Sequence, residues 1–340
     1  MSYLEENLNL KKELKFKDGK FRILCVSDFH GRVNFDRRLT RDLSALLDSA
    51  KPDLVMILGD TVWGDAAESV ENITAFLKEV IACIEERKIP WAVTFGEQDT
   101  DAGLGAEAQA DVYMALPYCV MKKDFASDGA ISYFLPIYEA GEVSSASVPV
   151  SGAFLMGQIS MLSSSANGSA HETLFDAERV SGTDYGYVTA NHIAWFARAS
   201  ETLYRESGGT LPTVMITHTP TPEFAFCAKE QEKTKLSGNV GEDVASSPVN
   251  SGLFASLLDC GNVLGLYVGH DHLNTFSAEY CGIELAYSGS IGYDGYGLGG
   301  TFRINNSLRG GRLIELTLRD GKVQKSSRMV YTSDFEIGEG

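Results

Sequence analysis

Short apolar runs alternate with amphipathic stretches through the first hundred residues. "FRILCVSDF" (21–29) is a continuous apolar run, the pattern of a strand covered on both faces. Residues 34–50 follow with Leu39, Leu43, Leu46 and Leu47 at helical spacing. "PDLVMILGD" (52–60) is a second buried strand, 69–87 an amphipathic helix with a Ser start and a basic end, and "IPWAVTFGE" (89–97) a third strand. Such a β-α-β-α-β series predicts a parallel sheet with right-handed crossovers. From 129 to 190 the texture changes: "AISYFLPIY" and "GAFLMGQISML" read as strands separated by Ser/Gly-rich turns. A helix at about 190–206 leads to the strand "PTVMITH", "SLLDCGNVLGLYVGHDH" reads as helix end, turn and strand, and 280–331 alternates like β-hairpins. Two packed sheets in one domain spanning 1–340, with a core at about 20–318, is the economical reading.

Composition narrows the partners. Hydrophobic residues make up 44% of the 340 and charged residues 22%, enough for a sizeable core. The net charge of −17 argues against a nucleic-acid partner, which requires a basic footprint, and against an anionic membrane surface. Six cysteines show no C-x-x-C pair, and Cys25 and Cys83 lie in apolar runs where core positions are expected. The first twenty residues are polar, without the apolar region of a signal peptide, and no run approaches 18 apolar residues. A cytoplasmic, reduced protein is the expectation.

Chemistry concentrates at strand ends. Asp28 and His30, Asp60 after Gly59, His218, and the pair His270 and His272 each close an apolar run, so four of the six histidines recur in one kind of place. Imidazoles and carboxylates presented together from several strand ends suit a pair of transition-metal ions. His171, in a Ser/Gly loop, and His192, early in a helix, are expected at the surface.

At these residues the chain resembles the calcineurin-like metallophosphoesterases. "SDFH", "LGD", "FGEQD", "ITHTP" and "GHDH" match that family's motifs in order, over about residues 20–318. "HIAWF", "PTPEF", "GHDHLNTF", "SGSIGYDGYG" and "RGGRLIEL" are similar to the branch related to purple acid phosphatases. The resemblance implies a four-layer α/β/β/α sandwich of two mixed sheets with a dinuclear centre at the strand ends between them. It implies that Asp28, His30 and His272 hold one ion, that Asp60 bridges, and that His218 and His270 hold the second with the residue at the motif's Asn position. Two ions of the Mn, Fe or Zn type would promote attack of hydroxide on a small phosphorylated substrate.

The motif's Asn is Glu97 here, and its His is Gln98. Glu97 is one methylene longer than Asn, so as a ligand it requires the loop to draw back. Three carboxylates would weaken attraction for phosphate or suit a trivalent ion such as Fe³⁺. Gln98 exchanges no proton near pH 7, but it could hydrogen-bond a phosphoryl oxygen, which leaves Asp60 and Gln98 as the catalytic candidates. Asp99 and Asp101 are expected in a solvated turn, an acid role being the alternative. Tyr293 and Tyr296 line the pocket mouth and bind substrate, or pack at a sheet edge. Arg309 and Arg312 are expected as surface residues of a turn, with phosphate pairing as the alternative. The competing function is a homologue that keeps the metals and has lost turnover, serving as a sensor or scaffold.

Overall fold

The computed structural model describes residues 11–64, 69–101, 103–125, 131–139, 151–156, 187–207, 209, 211–247, 249–297 and 306–335. His171 and the second half of the "GAFLMGQISML" run lie outside them. One mixed sheet places β2 (Lys20–Val26), β3 (Leu54–Leu58) and β4 (Trp91–Thr94) side by side in that order and parallel. β12 (Gly310–Arg319) pairs antiparallel with β2 and, on its other side, with β13 (Lys322–Tyr331). The other sheet runs β1 (Leu14–Lys15), β6 (Ile131–Tyr138), β7 (Ser151–Met156), β8 (Thr213–Ile216), β9 (Val263–Val268), β11 (Ile283–Tyr287) and β10 (Ser277–Tyr280), and β5 (Asp124–Phe125) pairs with β6. Strands β7, β8, β9 and β11 are mutually parallel.

Helices cover the outer faces. On the first sheet's side these are α1 (Arg38–Ala50), α2 (Val70–Val80), α3 (Ala82–Glu86) and, after the short α4 (Glu97–Asp101) at the end of β4, α5 (Ala106–Met114). Leu39, Leu43, Leu46 and Leu47 of α1 are all buried, as their spacing requires. The single helix expected over 69–87 is two, α2 and α3, meeting at Ile81; Ser69 caps the first by accepting the Asn72 amide at 3.2 Å. Opposite lie α6 (Ala190–Ser207), α7 (Pro222–Lys229) and α8 (Leu253–Cys260).

Side-chain alternation in the second sheet separates two cores. Tyr133, Leu135, Ile137, Val214, Ile216, Tyr267 and Ala286 join the cluster that contains β2, β3 and β4. Their neighbours Phe134, Met215, Leu266, Val268, Leu285 and Tyr287 join Trp195, Phe196 and Leu257 of the helices on the far side. Successive residues of a strand face opposite ways, so the second sheet is apolar on both faces. This gives the α/β/β/α layering. Cys25 and Cys83 are buried in it, at 0% and 5% exposure.

Two surface expectations are corrected here. His192 is fully buried, because it stands three and four residues before Trp195 and Phe196 on the stripe of α6 that faces the sheet. Arg312 is also buried. Its Nε donates to the Tyr287 carbonyl at 2.6 Å, Nη2 to the Thr275 carbonyl at 2.9 Å and Nη1 to Ser327 Oγ at 3.0 Å, so one guanidinium ties β12 to the other sheet. Arg312→Leu is expected to lower unfolding free energy by about 3 kcal/mol or more, since it strands buried carbonyls. Urea denaturation monitored by circular dichroism checks this; a loss below about 1 kcal/mol would contradict it.

Candidate metal centre

The sequence-predicted ligands all follow the C-terminal ends of parallel strands. Asp28 and His30 follow β2, Asp60 follows β3, Glu97 follows β4, His218 follows β8, and His270 and His272 follow β9. Backbone pairing continues past β2 and β3 and fixes the first three: the Asp28 amide donates to the Gly59 carbonyl at 3.1 Å and the His30 amide to the Asp60 carbonyl at 2.9 Å. Asp28, His30, Asp60 and His270 have φ of 56°, 48°, 49° and 73°, the left-handed region. Among the described residues, the other six non-glycine residues with positive φ (Asp18, Lys51, Lys88, Lys235, Cys281 and Asp320) are all exposed. The four at the strand ends are buried, and a non-glycine residue there costs of order 1–3 kcal/mol, a strain that clusters at functional sites.

The ligand atoms gather into two groups. Asp28, His30 and His272 form one, and Glu97, His218 and His270 the other, with donor atoms of each group within 4.8 Å of one another. Between them stands Asp60: Oδ2 is 3.9 Å from His30 Nε2, and Oδ1 is 3.6 Å from His218 Nε2. Each oxygen of one carboxylate therefore addresses a different group.

Hydrogen bonds fix which imidazole nitrogens are free to ligate. His218 Nδ1 lies 2.6 Å from the Leu58 carbonyl, and His272 Nδ1 lies 2.9 Å from the Tyr296 carbonyl. A carbonyl only accepts, so both Nδ1 atoms carry the proton and both Nε2 lone pairs face the centre. His30 Nε2 and His272 Nε2 meet at 3.0 Å, and both oxygens of Asp28 are buried without a hydrogen bond.

The electrostatics describe a donor set suited to cations. Burial, reinforced by the His272 imidazole, pushes His30 down to about 3, which keeps it neutral. Burial opposes ionisation of Asp28, yet the surrounding imidazoles, His272 foremost, hold it at about 2. Asp60 is raised well above the carboxylate range by burial and then by the Glu97 charge. Carboxylates crowded in a dry pocket raise one another's pKa unless positive charge lies between them. A pair of ions fits this set: three carboxylates, four imidazoles and unpaired buried oxygens.

Glu97 reaches further than its extra length suggested. Its Oε1 is 2.8 Å from His270 Nδ1 and its Oε2 is 2.9 Å from His218 Nε2, so the carboxylate spans both imidazoles of the second group. The first turn of α4 places it there. Gln98, one residue on, donates its amide N–H to Asp60 Oδ1 at 3.0 Å, while its side-chain Oε1 accepts from the Gly64 amide at 3.3 Å. Asp99 is a correction. It is fully buried and accepts from the Val62 and Gly96 amides at 3.0 and 2.9 Å, so it braces the loop below the centre; burial pushes it up to about 6. The Asp101 side chain lies outside the described residues.

The two tyrosines part ways. Tyr296 stacks on His272, ring centres 4.1 Å apart, and is 43% exposed, at the mouth of the centre. Tyr293 turns to α1: its hydroxyl donates to Asp42, and the Arg309 guanidinium lies 3.6 Å from its ring centre. The hydroxyl is therefore committed to Asp42. Arg309, expected at the surface, is 1% exposed, with Nη1 donating to the Gly292 carbonyl at 2.7 Å. Asp271, between the two histidines, accepts from the Tyr287 hydroxyl at 2.5 Å and the Asn274 amide at 3.3 Å.

Sequence reasoning missed three contributors. A Cβ on Gly295 would lie 2.6 Å from His272 Cε1 and 2.7 Å from His30 Cδ2; one on Gly96 would lie 2.2 Å from Asp60 Oδ1. Both glycines let backbone close over the ligands, and their place beside the motifs was the available signal. Trp63 packs its ring edgewise on His30, centres 4.9 Å apart, and only its position three residues after Asp60 hinted at that.

Residues 21–274 match the family "Calcineurin-like phosphoesterase". The chain belongs to that family. Its curated relatives include "Probable inactive purple acid phosphatase 14" of Arabidopsis thaliana, 30% identical over 317 residues, covering 84% of this chain and 74% of the relative. "Phosphatase DCR2" of Saccharomyces cerevisiae is 26% identical over 284 residues, covering 78% of this chain and 45% of that protein. Among solved structures, a dimetal phosphatase from Danio rerio superposes with a TM-score of 0.56 at 12% identity, over 88% of this chain and 93% of the other. GAP50, described as the anchor in the inner membrane complex of Plasmodium, gives 0.53 at 13% identity, over 94% and 87%. Both structural likenesses speak to the fold alone. Members of this phosphoesterase family use divalent metal ions, and the two residue groups around Asp60 are the candidate ligands in this one.

Proposed function

We propose that this chain is a dinuclear metal-dependent phosphoesterase acting on a small phosphorylated substrate. The observation that carries the reading is Asp60, with one carboxylate oxygen 3.9 Å from an imidazole of the first group and the other 3.6 Å from an imidazole of the second. Asp28, His30 and His272 would hold one ion; Glu97, His218 and His270 would hold the other; Asp60 would join them. When bound, such ions withdraw charge from phosphoryl oxygens and lower the pKa of water. The protein's own groups set the geometry. Leu58 and Tyr296 fix two imidazole tautomers through their carbonyls, the Gln98 amide orients Asp60 Oδ1, and Tyr296 borders the entry. Free thiols at all six cysteines fit a reducing, cytoplasmic setting, and no helix among the described residues is long and apolar enough to cross a membrane.

A second reading rests on Gln98 and on the relatives. Gln98 supplies no proton for a leaving group, and three relatives at 27–30% identity are described as probable inactive purple acid phosphatases. On that reading the centre binds metal and serves as a sensor or scaffold. Metal content by mass spectrometry, followed by hydrolysis of p-nitrophenyl phosphate and its diester with Mn²⁺, Fe or Zn²⁺ supplied, separates the two. Two ions with turnover support the enzyme; two ions with no turnover on either activated ester would leave the sensor or scaffold.

Glu97→Asn tests the ligand set. Replacing a carboxylate that lies 2.8–2.9 Å from two imidazoles by a neutral amide is expected to weaken the second ion's binding about tenfold or more. Metal titration followed by calorimetry reads it, and unchanged affinity would remove Glu97 from the ligands.

A further inference from the structure

We infer that Arg32 is a substrate-specificity residue that binds a second anionic group next to the phosphoryl group at the metal centre, so that the preferred substrate class is a diphosphate or bisphosphate rather than a simple monoester. This rests on the phosphoesterase reading above and deepens it.

Arg32 stands two residues after His30, and its guanidinium carbon is 5.0 Å from the centre of the Trp63 ring, the same ring that packs on His30. Stacking on an aromatic face restrains a guanidinium while leaving its in-plane N–H donors unused. One of those donors, Nε, is shut off from solvent and has no hydrogen-bond partner. A buried donor left unpaired costs about 1–3 kcal/mol, and the Nη groups of the same fork, which are not enclosed in this way and make no hydrogen bond among the described residues, are the donors a ligand would meet. No ion pair among the described residues engages this side chain either, although the chain carries 46 acidic residues against 29 basic ones. Nearby arginines behave otherwise: Arg37 pairs with Glu79 at 3.2 Å, Arg38 with Asp36 at 2.5 Å and Arg41 with Asp42 at 2.9 Å.

The charge of the centre explains what such a residue is for. Asp28, Asp60 and Glu97 make the pocket rich in carboxylate, so ions there are left with less net attraction for an anion than two carboxylates would leave. An unpaired guanidinium beside His30 restores positive potential on one side, and its fork suits the oxygens of a second phosphate.

Binding to the full chain loaded with Mn²⁺ tests this, using methylphosphonate and methylenediphosphonate as unreactive probes and calorimetry as the readout. The protein is expected to bind the diphosphonate at least tenfold more tightly. In Arg32→Gln that ratio should fall about tenfold, and Arg32→Lys, which keeps the charge but loses the fork, should recover part of it. A ratio unchanged in Arg32→Gln, with both ligands weakened together or neither, would overturn the assignment and leave the phosphoesterase reading standing. Failure of the Mn²⁺-loaded protein to bind either phosphonate would overturn both.

Discussion

Asp60→Asn is expected to reduce hydrolysis of p-nitrophenyl phosphate by about 10³-fold or more, with the fold intact. The substitution is nearly isosteric, so the Gln98 amide keeps an oxygen to bond at 3.0 Å. What disappears is an anion whose two oxygens face the two groups at 3.9 and 3.6 Å. An amide offers one oxygen and no charge, and its nitrogen would turn a donor toward one of the ions. Stabilisation of several kcal/mol by a metal pair depends on both ions being held together, and about 4 kcal/mol corresponds to 10³ in rate. Steady-state kinetics on protein matched for circular dichroism is the check. Turnover within tenfold of the unmodified protein would mean that hydrolysis does not run through a bridged pair.

Gln98→His is expected to raise rates on alkyl phosphates by about 10²-fold or more, and on aryl phosphates far less. A positioned proton donor contributes about 10²–10⁴-fold where the leaving group is poor, and little where it departs as a stable anion. Position 98 is well placed to supply one. It occupies the first turn of α4 beside Glu97, and its backbone already touches Asp60. Its side chain is held by the Gly64 amide at 3.3 Å, an acceptor role that an imidazole nitrogen could also fill while presenting the other toward the centre. Hydrolysis of p-nitrophenyl phosphate compared with an alkyl monoester under one set of metal conditions measures the difference. Equal gains on both would show that this position handles no leaving-group proton.

Much of this arrangement is legible in the sequence, for a definite reason. Strands covered on both faces write themselves as unbroken apolar runs, and the residues that end those runs sit at one edge of the sheets. Asp28, His30, Asp60, His218, His270 and His272 could therefore be grouped from spacing and chemistry. Residues whose role depends on what lies across the fold were misplaced. Arg309 and Arg312 flank two glycines and read as a turn, but they are buried because carbonyls from other elements, at Gly292, Tyr287 and Thr275, accept their protons. Asp99 read as a solvated acid because the amides of Val62 and Gly96 that bind it carry no side-chain signal. Tyr293 and Tyr296, three apart in a glycine-rich loop, separate because Asp42 and Arg309 capture one while His272 stacks on the other. Glu97 looked too long for its place until the turn of α4 set its carboxylate across two imidazoles.

The claim on which the rest depends is that Asp60 joins two metal positions in one chain. Metal-to-protein stoichiometry, determined by mass spectrometry after saturation with Mn²⁺ and removal of excess, tests it most directly. The account predicts two ions per chain, falling toward one in Asp60→Asn; a saturated value of one or none in the unmodified protein would contradict it.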